Sequence, residues 1–157
     1  MKVMSVIYVL VLLSGATLVA AEPQSKTDLD LLRQKIKADK KLLVAENMNL
    51  TDAESKTFWP LYEEYQQELQ QINRRLGATI ETYAEALNKG SVPPDTADRL
   101  IDEALAVDKA EIDLKRKYAN KMAKVIPPAK AARYIQIENK IRALIKAELA
   151  REIPLIH

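Results

Sequence analysis

Glu63, Glu64 and Glu68 crowd into one short stretch of the chain, and the four-residue step between the last two stacks their carboxylates on one helix face. Such a pair could pass protons or hold a hard cation. The plainer reading is a solvated acidic face. Lys115, Arg116 and Lys117, followed by Tyr118, form the other chemical cluster; a basic run beside an aromatic ring can grip a polyanion or an anionic lipid surface. On a helix of mixed charge it is more often plain surface. The chain has no cysteine, and its one histidine is the last residue, His157. Thiol chemistry and disulfides are therefore excluded, and a zinc site lacks its usual ligands. No glycine-rich phosphate loop occurs. Neither a catalytic set, a cofactor site nor a metal site is expected, so the chain reads as a protein that binds and does not catalyse.

The elements that would position these groups are helices. With 48% hydrophobic and 29% charged residues, the 157-residue chain has the makeup of one folded domain. Its three glycines and many Ala, Leu, Lys, Glu and Gln residues favour an all-α fold. Residues 1–21 read as a secretory signal: Lys2, an apolar run from Val3 to Leu13, then small residues up to Ala21. Cleavage after Ala21 leaves 22–157 as a single helical domain, free in the periplasm; an uncleaved membrane anchor is the rival reading. Charge is uneven along what remains. Residues 22–108 carry 11 basic and 17 acidic side chains, and residues 109–157 carry 12 and 5. Export argues against a nucleic-acid partner for the basic half. Either an anionic membrane surface or the acidic helices of the same bundle would complement it.

Apolar periodicity predicts four helices. The first runs from about Thr27 to Glu46, with Leu29, Leu32, Ile36, Leu43 and Val44 at helical spacing. The second opens on Thr51 and Glu54, a capping box in which the hydroxyl accepts from an early amide and the carboxylate reaches back. From Phe58 through Tyr62, Tyr65, Leu69, Ile72, Leu76, Ile80 and Tyr83 to Leu87, its apolar side chains stay within about 40 degrees of one line. Pro60 cannot donate to the Lys56 carbonyl, so this long helix should be kinked there. A third helix is expected over about 95–124, with Leu114, Tyr118 and Met122 on one stripe and Ile101, Leu105 and Ile112 on another, as though it touched two neighbours. The fourth runs from Pro128 to about Arg151, and the tail IPLIH follows it. Phe58, Trp59, Tyr62 and Tyr65 are the densest aromatic group. Trp59 lies off the main line, either packed on another helix or partly open on a curved surface, and the four are the candidate contacts for an apolar partner.

The stretch LTDAE, Leu50 to Glu54, behind a secretory signal and at the head of a long helix, resembles the first motif of the LTxxQ-motif family of periplasmic stress proteins, the Spy- and CpxP-like group. IPPAK, Ile126 to Lys130, stands where the second motif would, with Pro127 in place of the capping Thr and Lys130 in place of Gln. The resemblance implies an elongated, curved, hairpin-like helical bundle. It also implies a homodimer that binds unfolded or partner proteins without ATP, as a chaperone or an envelope-stress adaptor. The alternative is a structural envelope protein associated with a membrane surface through its basic C-terminal half.

Overall fold

The computed structural model describes residues 38–156; the leader expected over 1–21, the first part of the helix expected from Thr27, and His157 lie outside them. Within the described residues the fold is all-α. The chain forms α1 over 38–48, α2 (Asp52–Asn88), α3 (Pro94–Met122) and α4 (Pro128–Glu152). α2 continues through Pro60, and its 37 residues give a rod of about 55 Å at ~1.5 Å per residue.

Each boundary has a local cause. Thr51 Oγ1 accepts from Glu54 N at 3.3 Å while Glu54 Oε2 accepts from Thr51 N at 2.8 Å, so the expected capping box is formed. At the other end Gly90 adopts φ 105°, a left-handed conformation open to glycine, and its amide donates to Leu87 O at 2.9 Å. α3 and α4 both begin with proline at the first helical position, where the missing amide has no helical partner to lose.

Side-chain pairs fix the topology. Glu64 and Glu68 meet Lys121 and Lys117, and Arg75 meets Glu103, so α2 and α3 run antiparallel. Asp108 with Lys146 and Glu111 with Arg142 set α4 antiparallel to α3. Lys41 with Glu63 and Lys40 with Gln66 run α1 antiparallel to α2, and Asn47 with Arg133 and Lys40 with Glu138 run it antiparallel to α4. The result is an up-down-up-down arrangement in which α2 and α4 are parallel.

The core sits at the end where α1 joins α2. Phe58, Tyr65, Tyr118 and Tyr134 are fully buried there with Val44, Met48 and Met122. The rings meet edge to face: Phe58 on Tyr134 at 5.3 Å, Tyr65 on Tyr118 at 5.4 Å, and Tyr65 on Tyr134 at 5.6 Å. That geometry sets positive ring edges against negative faces. One expectation needs correction, and another holds by a different route. Phe58, Tyr62 and Tyr65 are core residues with little surface to offer a partner, because α2 turns its main apolar line inward. α3 does touch two neighbours, α2 and α4, but not through its second stripe: Ile101, Leu105 and Ile112 are 56%, 63% and 59% exposed. α3 spends its contacts on α2 through Val107, Leu114 and Tyr118 and on α4 through Glu111, which leaves that stripe outward.

Candidate functional site

Although parallel, α2 and α4 do not close on one another along their middle. Between them lies a groove of about 730 Å³ with α3 as its floor. Its walls are Tyr62, Tyr65, Leu69 and Asn73 from α2 and Ile141, Leu144 and Ile145 from α4. Glu111 and Lys115 of α3 lie beneath, and Ala38 to Lys41 with Leu43 of α1 close one end. At the other end Ile80 and Leu149 are buried together with Leu76 and Ile145 against them. The size suits a bound side-chain cluster or a helix segment.

Charged residues lie under this apolar lining. Arg142 Nε donates to Glu111 Oε2 at 2.6 Å and its Nη1 to Asn73 Oδ1 at 3.1 Å; Lys115 Nζ donates to the other Glu111 oxygen at 2.7 Å. One helical turn nearer the core, Lys40 Nζ bridges Gln66 Oε1 and Glu138 Oε2, both at 2.9 Å. Gln66 Nε2 in turn donates to Glu138 Oε1 at 2.9 Å and to Tyr134 Oη at 3.1 Å. Asn73, Glu111, Glu138 and Arg142 are all buried. A buried charge is tolerable only when paired and hydrogen-bonded, and these two clusters pair all their buried side-chain atoms but one. Tyr65 Oη and Arg142 Nη2, both in groove-lining residues, find no partner among the described residues. Burial, with Glu138 adding to it, pushes the Tyr65 and Tyr134 phenols far above the ordinary tyrosine range, so both stay protonated.

The predicted site residues fall into three groups. Tyr62 and Tyr65 edge the groove from within the core, Phe58 lies beneath it, and Trp59 is half-buried on the outside. Trp59 packs on Phe58 at 5.1 Å and Tyr62 at 5.2 Å, with the Lys41 ammonium 5.1 Å from its ring centre. The acidic cluster is salt-bridged: Glu63 to Lys41 at 2.6 Å, Glu64 to Lys121 at 3.1 Å, Glu68 to Lys117 at 2.7 Å. The Lys117 ammonium, helped by the Tyr118 hydroxyl, holds the Glu68 carboxyl below its usual range. No group of three or more potential metal ligands occurs among the described residues.

The two motif stretches lie side by side. Leu50 packs on the core and Ile126 is buried, while Thr51 and Pro127 stand at the same N-cap position of α2 and α4. Lys130 Nζ reaches across to Glu54 Oε2 at 2.6 Å and to Asn49 O at 2.7 Å. Hydrogen bonding from Lys130, joined by the Thr51 amide, keeps the Glu54 carboxyl below its usual range. Lys130, which departs from the motif, is thus the residue that ties the two helix starts together.

Reading the sequence missed the buried charges. A signal was present: Glu138 and Arg142 follow Tyr134 at steps of four, on the very line that leads to Leu149. No family model matches the chain, and neither the curated proteins nor the solved structures contain a match.

Proposed function

We propose that this chain is a non-enzymatic periplasmic binding protein of the LTxxQ type, which takes up exposed segments of unfolded or partner proteins without nucleotide. The observation that carries the reading is the groove between α2 and α4, with apolar walls and a polar floor. An amphipathic segment could lay aliphatic side chains along Leu69, Ile141, Leu144 and Ile145. The shared helix starts at Leu50 to Glu54 and Ile126 to Lys130 support the family likeness. The outward stripe of Ile101, Leu105 and Ile112 offers a second copy an apolar face.

The membrane-surface reading has less support. Lys117, Lys121, Lys130 and Lys146 of the basic half are paired across helices with Glu68, Glu64, Glu54 and Asp108, as the alternative of acidic helices in the same bundle requires. No helix among the described residues is long and apolar enough to cross a membrane.

The test is light scattering from a heat-unfolded enzyme, with and without this protein. The native protein should slow aggregation in the absence of ATP. Leu144→Glu, which places a charge on an exposed groove wall without touching the core, should weaken that protection. No protection by the native protein at molar excess over client sinks the proposal.

A further inference from the structure

The geometry points to one partner for the outward stripe of α3: the same stripe on a second copy of this chain, laid antiparallel across a two-fold axis between Leu105 and Ile112. Ile101, Leu105 and Ile112 are each more than half exposed and share one line of the helix. At about 100 degrees per residue, that line is turned roughly 120–160 degrees from Val107, Leu114 and Tyr118, which α3 buries. The stripe faces away from the groove, whose floor is Glu111 and Lys115 of the same helix.

Charge decides what fits and which way round. Asp98 stands three residues before Ile101, and Arg116 four residues after Ile112, so the apolar line is acidic at one end and basic at the other. Both are exposed, and neither forms an ion pair among the described residues. A line of this polarity complements itself only when reversed. In the antiparallel register Leu105 of each copy stands beside Ile112 of the other, and Ile101 lies along the aliphatic stem of Arg116. Asp98 then comes within about 4.5 Å, along the helix axis, of the level of Arg116 in the other copy, a step the long guanidinium side chain spans. A parallel pair would set Asp98 on Asp98 and Arg116 on Arg116. Near the axis like residues do meet, but Asp108 is bonded to Lys146 and Lys109 to Asp113 within each chain, which offsets their repulsion.

Size agrees with a second copy as well. Three half-open aliphatic side chains, with the stems beside them, offer on the order of 500 Å² per copy, so the pair buries roughly 1,000 Å². That is the lower edge of specific interfaces, which implies a reversible dimer that responds to concentration. The pairing deepens the second-copy reading of the stripe given above and does not depend on client binding in the groove.

Sedimentation equilibrium of the purified protein over roughly 1–500 µM tests it. The native protein should pass from monomer to dimer with no larger species, because a two-fold pair closes on itself. Leu105→Glu should raise the dissociation constant at least about tenfold while leaving the helical circular dichroism unchanged. Charge exchange tests the register without touching an apolar residue. Asp98→Arg makes both ends of the stripe basic, and Arg116→Asp makes both acidic, so each variant alone should self-associate about tenfold more weakly. Their equimolar mixture should dimerise as tightly as the native protein. A native protein that stays monomeric throughout, a dimer indifferent to Leu105→Glu, or a mixture no tighter than its components overturns the pairing. Protection against aggregation is read on the same samples: a dimer without protection overturns client binding alone, and protection by a protein that never dimerises overturns the pairing alone.

Discussion

Replacing Glu111 by leucine should destabilise the protein more than replacing Arg142 by methionine, although the two residues share one ion pair. Both side chains are nearly dry, 4% and 9% exposed. Removing one partner from such a pair leaves a buried charge behind, a loss of about 3–5 kcal/mol. The structure splits that figure unevenly. Without Glu111, the Arg142 guanidinium retains one contact, the Asn73 oxygen at 3.1 Å, so Glu111→Leu should approach ~4 kcal/mol. Without Arg142, the Glu111 carboxylate keeps the Lys115 ammonium at 2.7 Å, and the main orphan is the Asn73 oxygen. Arg142→Met should then cost about 1–3 kcal/mol, the usual penalty for an unsatisfied buried acceptor. The double replacement removes both charges and should recover most of the larger loss. Urea unfolding followed by circular dichroism reads the difference. With a slope of ~2 kcal/mol per molar urea, a 4 kcal/mol loss shifts the midpoint by about 2 M. Equal losses from the two single variants, or a double variant as unstable as the sum of both, would refute the reasoning.

Three other outcomes follow from the same structure. Thr51→Ala removes the α2 cap and should lower stability by about 1 kcal/mol, while Thr51→Ser should hold it; thermal melts of both decide the point. Gly77→Ala should raise stability by about 1 kcal/mol, because Gly77 is helical and an added Cβ would meet nothing within 4 Å; a drop in melting temperature would show hidden crowding. Glu54, Glu68 and Glu103 have carboxyl groups held below the ordinary value of 4.5 by Lys130, Lys117 and Arg75. Their unfolded forms take up protons first, so the stability they lend is complete above that value and is lost as pH falls through their lower, folded values. Unfolding measured at successive pH should show this decline, and Lys130→Met should move the Glu54 titration, followed by carbon NMR, back up.

Local chemistry made the helices readable. Thr51 and Glu54 mark a helix start without help from the rest of the chain, and the line from Phe58 to Leu87 marks its inward face; both rest on neighbours three or four residues apart. The site depends on residues far apart in sequence. Glu111, Glu138 and Arg142 look like ordinary surface charges until Arg142 is seen beside Asn73 and Glu111, drawn from two other helices. Lys130 reads as a lapse in the second motif until its ammonium is found on Glu54. The aromatic cluster is plain in the sequence, but which of its members are buried is not. Composition shows that Phe58, Tyr62 and Tyr65 are apolar contacts, and only the positions of Tyr118 and Tyr134 show that the contacts are internal.

The matched helix starts have a consequence for how the chain could be rewired. α1 with α2, and α3 with α4, are two hairpins whose second helices begin at one end of the molecule, with Phe58 and Tyr134 each eight residues after Leu50 and Ile126. One covalent link joins them, the short turn over 89–93, where Lys89, Gly90, Ser91 and Pro93 are exposed. Contacts that cross between hairpins, from Glu54 with Lys130 to Asn73 with Arg142, do not depend on that link. The two hairpins are thus candidates for expression as separate chains that find each other in solution, and the turn at Gly90 is the natural place for new termini or an inserted reporter.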